Sequence, residues 1–316
     1  MVQVHIAVLD TDVPCYRVYA KRGLYSSQFR RLLQGAAKRL NQSSQPLKHG
    51  KLDVHVTAFD VIGGSLPSLG CLRADSLSGR DPYIDAQPKP IDAILVTGAA
   101  AASYDDLFWI PPLQSFLQTV YTKFPLVKIF GSCFGHQLIA KALLGSDEQS
   151  MGEESSVKVC VQPMQHGHEI GVQPISLNPE FAWKFPPLHR FLPSSPFQIQ
   201  LIHGDAVVSY LQAATDRREP DVSLPERWIN VGSSELCSIQ GLYYPGRVLT
   251  LQGHFEFDAF ATAELCHQFA HAFKWPLSLL ASHLDQIHRS SRPDEEDDDD
   301  SRVAAEVVLL FLAGED

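Results

Sequence analysis

Apolar residues in this chain come in short unbroken runs and in longer stretches at helical spacing, taken in turn. Val2 to Leu9 reads as a first strand. Ser26 to Leu40 reads as a helix, with Phe29, Leu32, Leu33, Ala36 and Leu40 on one face. Val54 to Val61 predicts a second strand, and Ile91 to Thr97 is nearly all apolar, as a central parallel strand buried on both faces requires. Leu107 to Thr122 predicts a helix; a strand beginning at Lys128 and a helix to Leu144 follow. Short β-type runs then occupy Val157 to Gln162, Glu169 to Ile175, Gln198 to Ile202, Cys237 to Leu242 and Arg247 to Leu251, ahead of a helix over Phe260 to Phe273. Alternation of this kind predicts an α/β fold: a doubly wound, mostly parallel sheet flanked by helices, with a small antiparallel extension from the later strands. The Gly/Pro/Ser-rich stretches Gly63 to Pro90 and Gly145 to Ser156 read as surface insertions, either lids or tolerated variation. No internal repeat is visible.

The strand beginning at Lys128 runs through Gly131-Ser132-Cys133-Phe134-Gly135 directly into a helix pattern. Glycines on both sides of Cys133 permit a tight strand-to-helix turn with the thiol exposed at its tip, the pattern of a nucleophile elbow. A thiol there sits at a helix N-terminus, where the dipole and free N–H groups favour the thiolate. The competing explanation is a buried free cysteine in a β-to-α turn. Downstream, Arg247 to Leu251 leads into Gln252-Gly253-His254-Phe255-Glu256-Phe257. Residues two apart on an extended backbone point the same way, so the His254 imidazole and the Glu256 carboxylate can share one face. A Cys/His/carboxylate set needs that arrangement: the imidazole takes the thiol proton, and the acid fixes its tautomer. A cysteine variant of the α/β-hydrolases would carry its acid before its histidine, and here Glu256 follows His254.

With these segments the chain resembles the class I glutamine amidotransferase-like proteins. The resemblance rests on Gly131-Ser132-Cys133-Phe134-Gly135-His136-Gln137, on Gln252 to Phe257, and on Ile94-Leu95-Val96-Thr97-Gly98-Ala99 followed by Ser103-Tyr104-Asp105-Asp106. Leu201-Ile202-His203-Gly204-Asp205 and Ser233-Ser234 leading to Gln240 extend it, in family order from about residue 2 to about residue 275. It is most similar to the free-standing members, which include γ-glutamyl peptidases. The resemblance implies a flavodoxin-like sheet in a catalytic domain over residues 1–290, with residues 291–316 an acidic linker and a C-terminal apolar segment. It implies that Cys133 attacks a γ-glutamyl amide, in glutamine or a γ-glutamyl peptide such as glutathione or its conjugate, assisted by His254 and Glu256, through a γ-glutamyl thioester. Backbone N–H groups of Phe134 and of Ala99, after Gly98, would hold the oxyanion. Gln137 would bind substrate or fix the oxyanion loop, and His203 and Asp205 match a loop that lines the family's site. Two positions depart from the family: Phe255 stands where proline is usual, which predicts a less rigid loop, and Ala99 stands where glycine or serine is usual, which would be strained at positive φ.

Composition narrows the partners. At 316 residues and 45% hydrophobic content the chain can bury a substantial core. Met1 to Asp10 reads as a strand rather than a secretory leader, and Val303 to Gly314 is too short to span a bilayer, so a cytoplasmic protein without membrane contact is expected. Six scattered cysteines without a CxxC pair suit a reducing compartment. The net charge of −10 comes largely from the seven acids of Asp294 to Asp300, and the near-neutral remainder predicts no nucleic-acid partner. That run reads as a solvated linker; the apolar Val303 to Leu312 beyond it fits either docking on its own body or contact with another protein. His166 and His168 lack a nearby third ligand, so no metal and no cofactor are expected. Besides a stand-alone hydrolase, two alternatives stay open: a glutaminase subunit supplying ammonia to a separate synthetase, since the chain has no P-loop, and a catalytically silent binding protein of the same fold.

Overall fold

A computed structural model of the chain describes residues 2–74, 89–145, 157–165, 167–211, 222–290 and 299–316. Its elements in chain order are β1 (Val2–Asp10), α1 (Tyr16–Arg22), α2 (Tyr25–Gln42), β2 (Leu52–Asp60), β3 (Ala93–Val96), α3 (Ile110–Lys123), β4 (Lys128–Ser132), α4 (Phe134–Leu144), β5 (Val157–Pro163), β6 (Glu169–Leu177) and α5 (Pro179–Ala182). There follow β7 (Phe197–His203), β8 (Asp205–Leu211), β9 (Ile229–Asn230), β10 (Gly232–Ser233), β11 (Leu242–Tyr244), β12 (Val248–Leu251), α6 (Ala259–Ala272), α7 (Leu277–Ser290) and α8 (Ser301–Ala313).

The main sheet has the order β2-β1-β3-β4-β12-β11-β9. Its first four pairings are parallel, and β11 and β9 close it antiparallel. Burial follows the sequence pattern. β3 is buried throughout, as its unbroken Ala-Ile-Leu-Val demands, whereas the edge strand β2 buries Leu52, Val54 and Val56 and exposes Asp53 and His55. Two smaller antiparallel sheets, β10-β6-β7 and β5-β8, form the expected extension. The run from Cys237 to Leu242 is not a strand: a turn with Ser234 N–H on Cys237 O occupies its start, and pairing begins only at Leu242. His166 and Asp294 to Asp298 lie outside the described residues, as do residues 75–88 of the Gly63 to Pro90 stretch and residues 146–156 of the Gly145 to Ser156 stretch.

One face of the sheet carries α3 and α4, packed through Leu113, Leu117, Leu138 and Ile139. The other carries α2 and α8, with Phe29, Phe130, Phe255 and Phe311 among its fully buried rings. The apolar segment after the acidic run is therefore α8, docked on its own body. Val303, Val307, Leu310 and Phe311 are buried, and the Phe311 ring meets Tyr243 edge-on with centroids 6.3 Å apart. Polar contacts fix its register: Glu306 pairs with Arg39 at 2.5 Å, and Asp316 accepts from Tyr243 Oη at 2.9 Å and from Lys128 Nζ at 3.2 Å. Replacing Phe311 by alanine is expected to cost about 3–5 kcal/mol in urea unfolding, the cost of emptying a buried aromatic site. Among the described residues no helix is long and apolar enough to cross a membrane.

Candidate active site

The turn between β4 and α4 holds Cys133 at φ 49° and ψ −105°, a conformation that L side chains rarely adopt. Neighbours on both sides enforce it. The Cys133 N–H donates to Leu251 O of β12 at 2.9 Å, and its carbonyl accepts the Gln137 N–H at 3.0 Å. Only glycine fits beside it: a Cβ on Gly131 would lie 2.5 Å from the Gly135 carbonyl carbon, and one on Gly135 would lie 2.4 Å from Val96 O. The close approach seats α4 on the ends of β3 and β4, with its first N–H groups free to face a ligand.

After β12 the chain crosses to β7, where the His254 N–H donates to Gln200 O at 2.8 Å. His254 Nδ1 donates to Glu256 Oε1 at 2.7 Å, and Ser132 Oγ donates to the same oxygen at 3.3 Å. The ring stacks on Phe257, with centroids 4.2 Å apart. Burial alone would lower the pKa of His254, but the charges of Glu256 and of Cys133 raise it to about 10. Nε2 is buried and has no hydrogen-bond partner outside its interaction with the Cys133 thiol. Phe255 does not loosen this segment as expected: only 1% exposed, it lies against Phe29 and Phe130 and anchors the loop in the core.

Cys133, His254, Gly98 and Ala99 line one narrow cavity of about 30 Å³ at the carboxyl ends of β1, β3 and β4. A Cβ on Gly98 would lie 3.0 Å from His254 Cε1 and 3.5 Å from Cys133 Cβ, so glycine is needed where thiol and imidazole meet. Ala99 is not strained. The non-glycine residues at positive φ among those described are Cys133, Arg227 and Lys274. The loop is pinned by Thr11, whose Oγ1 reaches Gly98 O at 3.0 Å, and by Asp12, which accepts the Ala100 N–H at 2.8 Å. Neither residue was singled out in the sequence, although both follow the carboxyl end of β1, where such sheets bind ligands. The remaining walls come from Tyr25, Ile202, Phe257 and α6. A larger depression of about 460 Å³, lined by Arg22, Arg39 and Glu256, lies beyond the loop that carries His254 and Glu256 and includes neither Cys133 nor His254.

The other expected site residues lie behind this cavity. Phe134 is buried, with its ring against Trp109. Gln137 Nε2 donates to Asp205 O and to Gln252 Oε1, both at 3.2 Å, and Gln252 Nε2 donates to Cys133 Sγ at 3.5 Å. Asp205 accepts from Tyr104 Oη through its carboxylate at 2.8 Å, and burial followed by this bond pushes the Tyr104 hydroxyl up to about 12. His203 is buried, with Nδ1 on Asp205 O at 2.9 Å and Nε2 on Glu169 Oε2 at 3.0 Å. Burial would raise Glu169, but hydrogen bonds from His203, Ser234 and Gln240 hold it below the ordinary carboxylate range. His136, next to Gln137, is fully buried on Thr250, and burial drops it to about 3. Among the described residues no group of three or more His, Cys, Asp or Glu could hold a metal ion.

No family model matches the chain. A glutamine amidotransferase-like protein of Schizosaccharomyces pombe is 26% identical over 255 residues, covering 80% of this chain and 79% of its own length. One from Saccharomyces cerevisiae, named a glutamine amidotransferase, is 31% identical over 209 residues, covering 66% of this chain and 64% of its own. A crystal structure of a glutamine amidotransferase from Thermotoga maritima superimposes with a TM-score of 0.56 at 15% identity, over 100% of this chain and 99% of that one. Another, from Methylobacillus flagellatus, gives 0.50 at 14% identity over 99% and 94%. The two structures share its fold: a mostly parallel sheet covered by helices, with antiparallel additions.

Proposed function

The chain belongs to the class I glutamine amidotransferase-like family, and from that premise we propose that it cleaves a γ-glutamyl amide bond through a thioester on Cys133. The observation that carries this is the convergence of Cys133, His254 and the free end of the β3 loop on one cavity, with Glu256 holding the far nitrogen of the imidazole at 2.7 Å. The Cys133 sulfur attacks the γ-carbonyl carbon, and the carbonyl π electrons move to oxygen. Backbone N–H groups of Ala99 and Phe134 then face the oxyanion, a contribution of about 3 kcal/mol per donor. Collapse expels the amine, which takes its proton from His254 Nε2, and leaves the γ-glutamyl thioester. His254 then removes a proton from water; the hydroxide attacks the thioester, and glutamate leaves as the thiolate returns. Glu256 keeps the proton of the ring on Nδ1 while Nε2 shuttles.

The leaving group is read by incubating the purified chain with glutamine, glutathione and a glutathione S-conjugate, and measuring ammonia, glutamate and dipeptide. Glutamate with dipeptide and no ammonia identifies a γ-glutamyl peptidase, and ammonia from glutamine identifies a glutaminase. Ammonia released only when a synthetase is added identifies a subunit. No turnover of any substrate, with Cys133 no more reactive to iodoacetamide than Cys237, would overturn the proposal in favour of a silent binding protein.

A further inference from the structure

Behind Cys133 runs a continuous polar chain whose direction is fixed from its far end. The Asp205 backbone carbonyl can only accept, so the Gln137 amide must turn its NH₂ toward it at 3.2 Å. The same NH₂ then faces Gln252, whose side-chain oxygen must be the atom that receives it at 3.2 Å. Flipping either amide would set acceptor against acceptor or donor against donor. With its oxygen committed, Gln252 has only its NH₂ to present to Cys133 Sγ, at 3.5 Å. The carbonyl that starts the chain is itself held, because His203 Nδ1 donates to it at 2.9 Å. The other nitrogen of His203 lies 3.0 Å from Glu169 Oε2, and Ser234 Oγ and Gln240 Nε2 also bind that carboxylate, at 2.6 and 2.8 Å. Gln240 closes the circuit, since its carbonyl accepts the Gln252 backbone N–H at 2.8 Å. Glu169 and Gln240 are 4% and 1% exposed and Gln252 is wholly buried, so water cannot replace these partners.

We propose that Gln252 is a positioning residue for the nucleophile, presenting an N–H to the Cys133 sulfur in an orientation dictated by Gln137 and the Glu169–His203 pair. An N–H to a neutral thiol is weak, and the same N–H to a thiolate is charge-assisted. The relay therefore favours the sulfur anion, and holds it while the imidazole is turned toward the leaving group. Gln137 fixes Gln252 in this arrangement with both of its amide protons engaged. The inference rests on Cys133 being the nucleophile, and its test needs no substrate.

The test is the rate of iodoacetamide alkylation of Cys133 in the full chain from pH 5 to pH 10, followed by mass spectrometry of the peptide containing it, alongside urea unfolding. Gln252→Leu keeps the volume and removes the donor. The alkylation midpoint is expected to rise by about one pH unit, with reactivity at neutral pH down about tenfold. Gln252→Glu places an acceptor against the sulfur and should raise the midpoint further. If Gln252→Leu fails to fold, Gln137→Met leaves the contact residue in place but frees its amide to turn, and a smaller rise is expected. Profiles that coincide with the unaltered chain in whichever of these variants folds would overturn the relay. Such a result would leave γ-glutamyl cleavage standing, just as absence of γ-glutamyl turnover would leave a shifted alkylation profile intact.

Discussion

Alanine at position 133 is expected to lower γ-glutamyl amide cleavage by on the order of 10⁵- to 10⁶-fold, the loss typical of removing the nucleophile from a triad. Rate alone would not show that the residue is there for chemistry rather than packing, but stability would. Cys133 sits at φ 49° and ψ −105°, held by Leu251 on one side and by Gln137 on the other. Alanine keeps a Cβ in that conformation and keeps the strain. Glycine removes it, so Cys133→Gly is expected to be as inactive as Cys133→Ala yet more stable in urea by about 1 kcal/mol. A buried cysteine retained for packing would give the opposite order, since deleting its last carbon would open space in the core. Glycine less stable than alanine would therefore remove the argument that the turn stores strain to present a thiol.

The elbow could be read from the sequence because its constraints are local. Gly131 is required by Gly135 and Ile139 in the turn and the helix that follows, and Gly135 by Val96 at the end of the neighbouring strand β3. His254 and Glu256 were legible for a similar reason: two positions apart at a strand end, they reach each other without help from the fold. The parallel core strands were legible because burial on both faces forces an unbroken apolar run, as in β3. What escaped depends on partners distant in the chain. Gln252 lay inside a segment already singled out, but its role comes from Gln137, 115 residues away, and from Cys133, 119 residues away. β8 was missed because Asp205-Ala206-Val207-Val208-Ser209-Tyr210-Leu211 follows the turn after β7 directly, and only its antiparallel pairing with β5 marks it as a separate strand. α7 carries two histidines and six hydroxyl, amide or charged residues among its fourteen, a weak pattern that becomes a helix through contact of Ile287 with Gly171 of β6. Phe255 taught the converse. Proline restricts a loop through its own backbone, whereas this phenylalanine restricts it through Phe29 and Phe130, which no local pattern announces.

Glutamine at position 256 is expected to lower kcat/KM by on the order of 10⁴-fold with the fold retained, as when the acid of a triad becomes an amide. The carboxylate accepts from His254 Nδ1 at 2.7 Å, which keeps that proton in place and leaves Nε2 for the thiol. An amide can turn its NH₂ to Nδ1 and thereby stabilise the tautomer with its proton on Nε2, which cannot act as a base toward Cys133. The same change has a signature in stability. Against the burial that lowers it, the charges of Glu256 and Cys133 raise the folded-state pKa of His254 from 6.5 to about 10. A raised histidine contributes its full stabilisation below the unfolded value, and that contribution disappears as pH climbs from there through about 10. Urea midpoints of the unaltered chain at pH 6, 8 and 10 should therefore fall across this window by more than those of Glu256→Gln, in which the carboxylate attraction is gone. The two chains should differ most at pH 6 and converge toward pH 10. Parallel curves would mean that Glu256 does not hold a charged imidazole, and the acid–base pairing assigned to the site would have to be abandoned even if the variant were inactive.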